Sequence, residues 1–352
     1  MIDYNKILNN TICDVKWSGI RKFFDIANTM EGVISLGVGE PDFPTPWKIR
    51  NCAIKSLEKG KTRYSSNWGL EALREEISRY LNRKYSLNYS PKDEILVTVG
   101  GSEAIDATLR VITDPGDEII IPQPSYVCYE PITQVCGGVP VIINTKAEND
   151  FKVTAKELLE KITPKTKALI LPYPCNPTGA IMEKADLEAL GEVLKDTNIL
   201  VISDEIYSEL TFGEKRHVSI ASIPGMRERT VMVNGFSKSF AMTGWRLGYA
   251  LGPREIICQM TKIHQYAIMC APTVSQFAAI EALRSCEEEV AKMLEEYDSR
   301  RKIMVDGFNE IGLECREPKG AFYAFPSIKS TGLTSDEFCE RLLYSKRVAV
   351  VP

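Results

Sequence analysis

The sequence predicts an α/β fold on a mostly parallel β-sheet, and three observations predict it. Between Glu94 and Gly252, seven short runs rich in β-branched and aliphatic residues recur. Helix-like stretches separate several of them. The runs are almost continuously apolar rather than alternating, which marks strands covered on both faces. The candidate strands are Ile95–Val99, Glu118–Ile121, Val139–Asn144, Ala168–Leu171, Leu200–Ser203, Thr230–Val233 and Leu247–Leu251. Ser102–Ile112, Ser125–Cys136 and Lys184–Leu194 are the helical candidates between them. Ligands in such sheets bind beyond the carboxyl ends of the strands, so the segments that follow strands carry the functional argument.

Outside this block, Val33–Leu36 reads as a short strand before a glycine-rich turn. Glu287–Ile311 reads as one long amphipathic helix, and Gly320–Phe325 as a strand by its aromatic content. The expected organisation is a large domain of residues 45–285 and a smaller α/β lobe built from residues 12–44 and 286–352. A chain of 352 residues is long enough for both.

Composition narrows the function classes. The formal charge is -4 with both signs interspersed, so no basic stripe points to nucleic acid. Met1–Lys6 lacks the apolar core of a signal peptide, and no apolar run is long enough to cross a bilayer. The ten cysteines are scattered without a Cys-x-x-Cys pair, which fits reduced thiols better than a disulfide framework or a zinc site. The expectation is a cytoplasmic protein without a metal. Only His217 and His264 occur, so chemistry that needs a histidine cluster or a Ser-His-Asp triad starts poorly. Acid–base work falls to lysine, tyrosine or a carboxylate.

Five segments that follow strands carry candidate chemistry. Val97–Ala104 runs from strand through Gly100 and Gly101 to a helix start at Ser102 and Glu103. Free N–H groups there favour an anion, although an ordinary N-cap on Ser102 would read the same way. Gln123–Tyr126 offers Tyr126 to stack on a flat ring, or simply to pack. In Pro172–Gly179, three prolines and a glycine hold an extended loop that leaves the Asn176 amide free for a ligand; a rigid turn is the plainer reading. Leu200–Tyr207 places Asp204 just past a buried strand with Tyr207 three residues on. An ionised Asp204 would hold a pyridine nitrogen protonated, and Tyr207 could donate to a phenolic oxygen; an N-cap and a core aromatic are the alternatives. The fifth segment, Ser237–Arg246, sets Lys238 among small and apolar neighbours with Arg246 eight residues later. Desolvation disfavours an ammonium, a neutral amine forms a Schiff base with an aldehyde, and an arginine fork suits a phosphate. Pyridoxal 5'-phosphate is an aldehyde that carries a phosphate. Lys61–Tyr64, by itself, says little.

In this order the segments resemble the class I/II aminotransferases, pyridoxal-phosphate enzymes of fold type I. The resemblance covers nearly the whole chain and includes Ser35–Phe43, Cys175–Gly179, Ser203–Tyr207 and the lysine segment. It is similar above all to the prokaryotic aspartate and aromatic amino acid aminotransferases. The resemblance implies that Lys238 carries the cofactor covalently and then moves the substrate proton. It implies that Asp204 pairs with the pyridinium nitrogen, that Asn176 and Tyr207 bond the 3'-oxygen, and that Tyr126 stacks on the ring. Gly101, Ser102, Glu103, Ser237 and Arg246 would hold the phosphate, the first three partly through backbone N–H groups. Tyr64 would reach the phosphate of a neighbouring subunit in a homodimer with shared sites. Gly37 and Gly39, with Asn176, would line the substrate side, in a segment that closes and expels water.

The implied activity is amino transfer from an amino acid to a 2-oxo acid. Members of this family continue past the counterpart of Arg347–Pro352 into a tail that carries the arginine clamping the substrate α-carboxylate. Either the chain is longer than this sequence or it lacks that clamp, and the longer chain is the expectation. Ser102 stands where some aspartate-using members carry a lysine, which favours aromatic or other neutral donors with 2-oxoglutarate as acceptor. A pyridoxal-phosphate carbon–sulfur β-lyase and a non-catalytic sensing domain of the same fold are the competing readings. The Gly39–Phe43 segment speaks against the first, and the lack of a basic DNA-binding module against the second.

Overall fold

The computed structural model describes residues 2–17, 19, 26 and 29–352. The expected small-lobe range 12–44 therefore includes positions 18, 20–25, 27 and 28, which lie outside the described residues. The strands in chain order are β1 (Ile34–Ser35), β2 (Ile95–Thr98), β3 (Glu118–Gln123), β4 (Val139–Asn144), β5 (Thr166–Leu171), β6 (Leu200–Asp204), β7 (Thr230–Gly235), β8 (Gly248–Leu251) and β9 (Val348–Ala349).

Strands β2 to β8 form one sheet in the order β2-β8-β7-β6-β5-β3-β4. Only β8 runs antiparallel to its neighbours, against β2 on one side and β7 on the other. Successive residues of a strand point to opposite faces, and both faces are covered here. Ile120, Leu169, Leu171 and Val201 pack with Leu187, Leu190 and Leu194 of the helix Lys184–Leu194. Ile119, Ile121, Ile170, Ile202 and Val233 pack on the other side with Ile105, Leu109, Ile257 and Met260. Each such side chain, fully buried, stabilises the fold by about 1.5–3 kcal/mol. This is why the middles of the strands are apolar and their polar residues stand toward the ends.

The ends of the chain meet away from that sheet. β1 pairs in parallel with β9, Ile34 opposite Val348 and Ser35 opposite Ala349. A small cluster under the pair joins Ile26, Met30 and Val33 to Leu343 and Ala349. The helix Glu287–Glu310 packs Val290, Met293 and Tyr297 into the core of the main body.

Some predicted elements differ from the structure in kind or extent. The stretch read as a helix over Ser125–Cys136 is helical only over Tyr129–Val135. Pro131 explains the late start, because a residue without an N–H is tolerated in the first turn and would break a helix that began four residues earlier. Gly320–Phe325 is not a strand. Gly320 makes a single bridge to Thr211, and Ala321 turns to a left-handed φ of 55°, which ends any extended run. The helix predicted from Ser102 begins at Gly101, with Gly100 as its N-cap.

Candidate active site

The carboxyl ends of β2, β3, β5, β6 and β7 lie on one side of the sheet, and the five predicted segments follow them. One cleft there is lined by Gly101, Ser102, Tyr126 and Asn176, by Asp204, Tyr207, Ser237, Lys238 and Arg246, and by Gly37 and Gly39 from the N-terminal segment. Two predicted residues are not among its lining. Tyr64 is 83% exposed and lies outside the cleft of its own chain. Glu103 turns its carboxylate inward, where Oε2 accepts from the Val99 N–H and Oε1 lies 2.5 Å from Nδ1 of the buried His264. Any contribution of Glu103 to an anion site is confined to its backbone N–H.

Close backbone packing shapes the anion end. A Cβ at Gly248 of β8 would come within 2.6 Å of the Gly100 carbonyl carbon and 2.7 Å of the Gly101 nitrogen. Glycine at 248 therefore lets the helix Gly101–Ile112 start hard against the sheet. Gly100 has φ 80°, and a Cβ there would lie 2.8 Å from Nη2 of Arg246. No side chain caps this helix start. Its first N–H groups and the Arg246 guanidinium thus converge on one place, which is a site for an anion. The alternative reading of Ser102 as an ordinary N-cap does not hold.

Asp204, at the end of β6, is buried. Oδ2 accepts from the Tyr129 hydroxyl at 2.7 Å and Oδ1 from the Ile206 N–H at 3.2 Å. Burial nevertheless raises its pKa, against the opposing pull of those donors. A cation set against this carboxylate would be strongly held. Tyr207 is buried with its hydroxyl 2.7 Å from that of Tyr323, and burial lifts its pKa well above the ordinary phenol value. Tyr126 sits edge-on to Tyr129, centroids 5.7 Å apart at 89°.

Lys238 follows β7. Its Nζ donates to the Gly39 carbonyl and lies 5.4 Å from the Phe322 ring centroid and 5.7 Å from that of Tyr207. Burial pushes its pKa down to about 8, only partly offset by Glu40 and Asp204. Thr243 donates to Glu40 at 3.1 Å, so the segments around Gly39 and Lys238 are stitched together. Among the described residues the Asn176 side chain makes no hydrogen bond, which leaves it available to the cleft.

Tyr129, Phe322 and Tyr323 belong to the site and were not singled out from the sequence. Tyr129 lay inside a presumed helix, and Phe322 and Tyr323 inside a presumed strand. Their aromatic clustering was visible, but not which way they face. His217 is equally telling: its Nε2 lies 2.6 Å from Glu205 Oε2, in a buried cluster with Ser203 and Ser219, and it is not among the residues lining the cleft.

The donor set fits pyridoxal phosphate. An amine of lowered pKa, a buried carboxylate awaiting a cation and an uncapped helix start beside an arginine occur in one cleft. Fold and site together define a pyridoxal-phosphate-dependent aminotransferase of amino acids. The family model described as aminotransferase class I and II matches residues 31–352, and the chain belongs to that family. It is 53% identical over 98% of its length, and 89% of the relative's, to YugH of Bacillus subtilis, which carries the name of an aminotransferase. It is 47% identical to the aspartate aminotransferase of Pyrococcus abyssi, covering 95% of this chain and 87% of that one. The crystal structure of the aromatic aminotransferase from Pyrococcus horikoshii superposes with a TM-score of 0.90 at 44% identity, covering 95% of this chain and 89% of that chain.

Proposed function

We propose that the cleft transfers the amino group of an aromatic or other neutral amino acid to 2-oxoglutarate, with the site residues acting as follows. Bound pyridoxal phosphate supplies an electron sink for the bond to be broken at the substrate Cα. Lys238 anchors it, and its Nζ, neutral in a large fraction of molecules near pH 8, takes up and returns a proton. Asp204 holds a positive charge on the ring nitrogen. Tyr129 keeps that carboxylate oriented and acts through Asp204 alone. Asn176 and Tyr207 donate to the phenolic oxygen, and Tyr126 covers the ring. The N–H groups at Gly101, Ser102 and Glu103, with Ser237 and Arg246, bind the phosphate. Gly37 and Gly39 lie on the substrate side, where the segment carrying them excludes water.

The observation that carries this reading is the half-buried Lys238 amine, its pKa pushed down to about 8 by burial, facing the same cleft as Asp204. Ser102 at the helix start offers no charge for a second substrate carboxylate, which supports a neutral donor. The names of relatives divide among aspartate, aromatic and N-acetyl-LL-diaminopimelate substrates. We place residues 45–285 in a large domain and 12–44 with 286–352 in a small one, supported by the pairing of β1 with β9. We also propose a homodimer in which the exposed Tyr64 serves the partner's site, in the cytoplasm. Ten unbridged cysteines fit a reducing compartment.

The test is a panel of amino acids added to the loaded protein while the visible cofactor band is followed. Phenylalanine or tyrosine should bleach it, and 2-oxoglutarate should restore it. Faster bleaching by aspartate would reject the neutral-donor assignment. Release of pyruvate and ammonia from cystathionine without an oxo acid would reject amino transfer as the main reaction.

A further inference from the structure

We infer that Tyr323 is a positioning residue, which fixes the direction in which the Tyr207 hydroxyl donates. The inference rests on the reading of Tyr207 above and deepens it. Three observations place the Tyr323 hydroxyl at a junction. It lies 2.7 Å from the Tyr207 hydroxyl. A Cβ built on Gly39 would lie 2.7 Å from the same oxygen, so the N-terminal segment rests against it. The rings of Tyr207 and Tyr323 meet edge-on at 5.8 Å, and Phe322 packs against both, at 5.4 and 5.0 Å.

Counting protons gives the mechanism. Two hydroxyls bring two protons, and the bond between them uses one. If Tyr207 donated to Tyr323, no proton would remain on Tyr207 for a ligand. If Tyr323 donates, the Tyr207 proton is free to point into the cleft, and accepting one bond makes it a stronger donor of the next. An anionic oxygen in the cleft selects the second arrangement. Tyr323 touches no reacting atom in this scheme; it acts through Tyr207. The titratable groups around the pair are Asp204, Lys238, Tyr126 and Cys175. The Cys175 thiol, raised to about 11 by burial, stays neutral, so Asp204 and Lys238 carry the charge that changes nearby.

The experiment is a pH titration of the visible absorbance of the loaded protein, with apparent affinity for pyridoxal phosphate measured in parallel. The variants are Y207F, Y323F and Y207F/Y323F. Losing a donor leaves the phenolic oxygen of the cofactor more basic, so the spectral midpoint moves up. For Y207F the shift should be roughly 1–2 units, the size of one hydrogen bond to a charged group. For Y323F it should be upward and smaller, on the order of half a unit. The double variant should match Y207F alone, because Tyr323 has nothing left to act through. A shift in Y207F with none in Y323F overturns the positioning role and leaves the reading of Tyr207 standing. No shift in Y207F overturns that reading, and this inference with it. Additive shifts in the double variant would mean that Tyr323 reaches the ligand directly, which also overturns the inference. A fall in melting temperature without a spectral shift would mark Tyr323 as structural only.

Discussion

At the residue scale, Lys238 shows how a local sequence becomes chemistry. Its neighbours Phe240, Ala241 and Met242 are buried, and Tyr207 and Phe322 close over the amine. Water is removed from the ammonium, so the neutral form gains relative weight and the pKa falls. Covalent capture of pyridoxal phosphate by the unloaded protein, fixed with borohydride, should therefore speed up as pH rises through about 8 and level off above it. A midpoint near 10, the value of an ordinary lysine, would show that the amine is not desolvated. Asp204→Asn keeps the shape and removes the charge. It should lower kcat/KM by on the order of 10²–10³, the loss typical of one preorganised electrostatic partner. Retention of full activity would remove Asp204 from the mechanism.

At the element scale, the helix Gly101–Ile112 is the part on which the anion site depends. Gly248 lets it approach the sheet, and Glu103 fixes its first turn by bonding the Val99 N–H and His264. His264 is fully buried and its Nε2 has no partner, so the Glu103 contact is the ring's one polar tie among the described residues. Glu103→Ala would strand both groups at a cost of about 1–3 kcal/mol. The expected outcome is a melting temperature lower by several degrees, with weaker cofactor retention as the helix start loosens. Unchanged melting and retention would show that this contact does not hold the helix. The same helix illustrates a limit of sequence reading. Strand, glycines and helix are legible, but the inward turn of the Glu103 side chain, which leaves only its backbone N–H for a ligand, is not, because sequence order cannot tell which side chain of a first turn faces inward.

At the scale of the whole molecule, the long helix Glu287–Glu310 is joined to the segment that flanks the cleft. Arg300 Nη1 lies 2.9 Å from both oxygens of Asp42, and its guanidinium sits 5.1 Å from the Phe43 ring centroid. Arg300 is exposed enough that this pair adds only about 0.2–1 kcal/mol to stability. Its effect should appear in substrate binding instead. Arg300→Ala should raise KM several-fold with kcat little changed and melting nearly constant. Equal KM in variant and parent would mean that the contact does not help to hold the segment over the cleft.

What the sequence determined by itself is the sheet and the identity of its chemistry-bearing loops. Short, almost continuously apolar runs between turn signals read as strands covered on both faces, and Asn176, Asp204 and Lys238 each stand at the end of one or a few residues past it. Local order also carried the family resemblance, because those motifs are contiguous. Tertiary structure alone decided the pairings between distant segments. Tyr129 meets Asp204 across 75 positions, Tyr207 meets Tyr323 across 116, and Lys238 meets Gly39 across 199. The physical reason is that a hydroxyl or an amide has no periodicity to betray its partner. Its direction is set by the packing of elements whose apolar faces were chosen first, and the polar contacts of the site form where that packing brings them together.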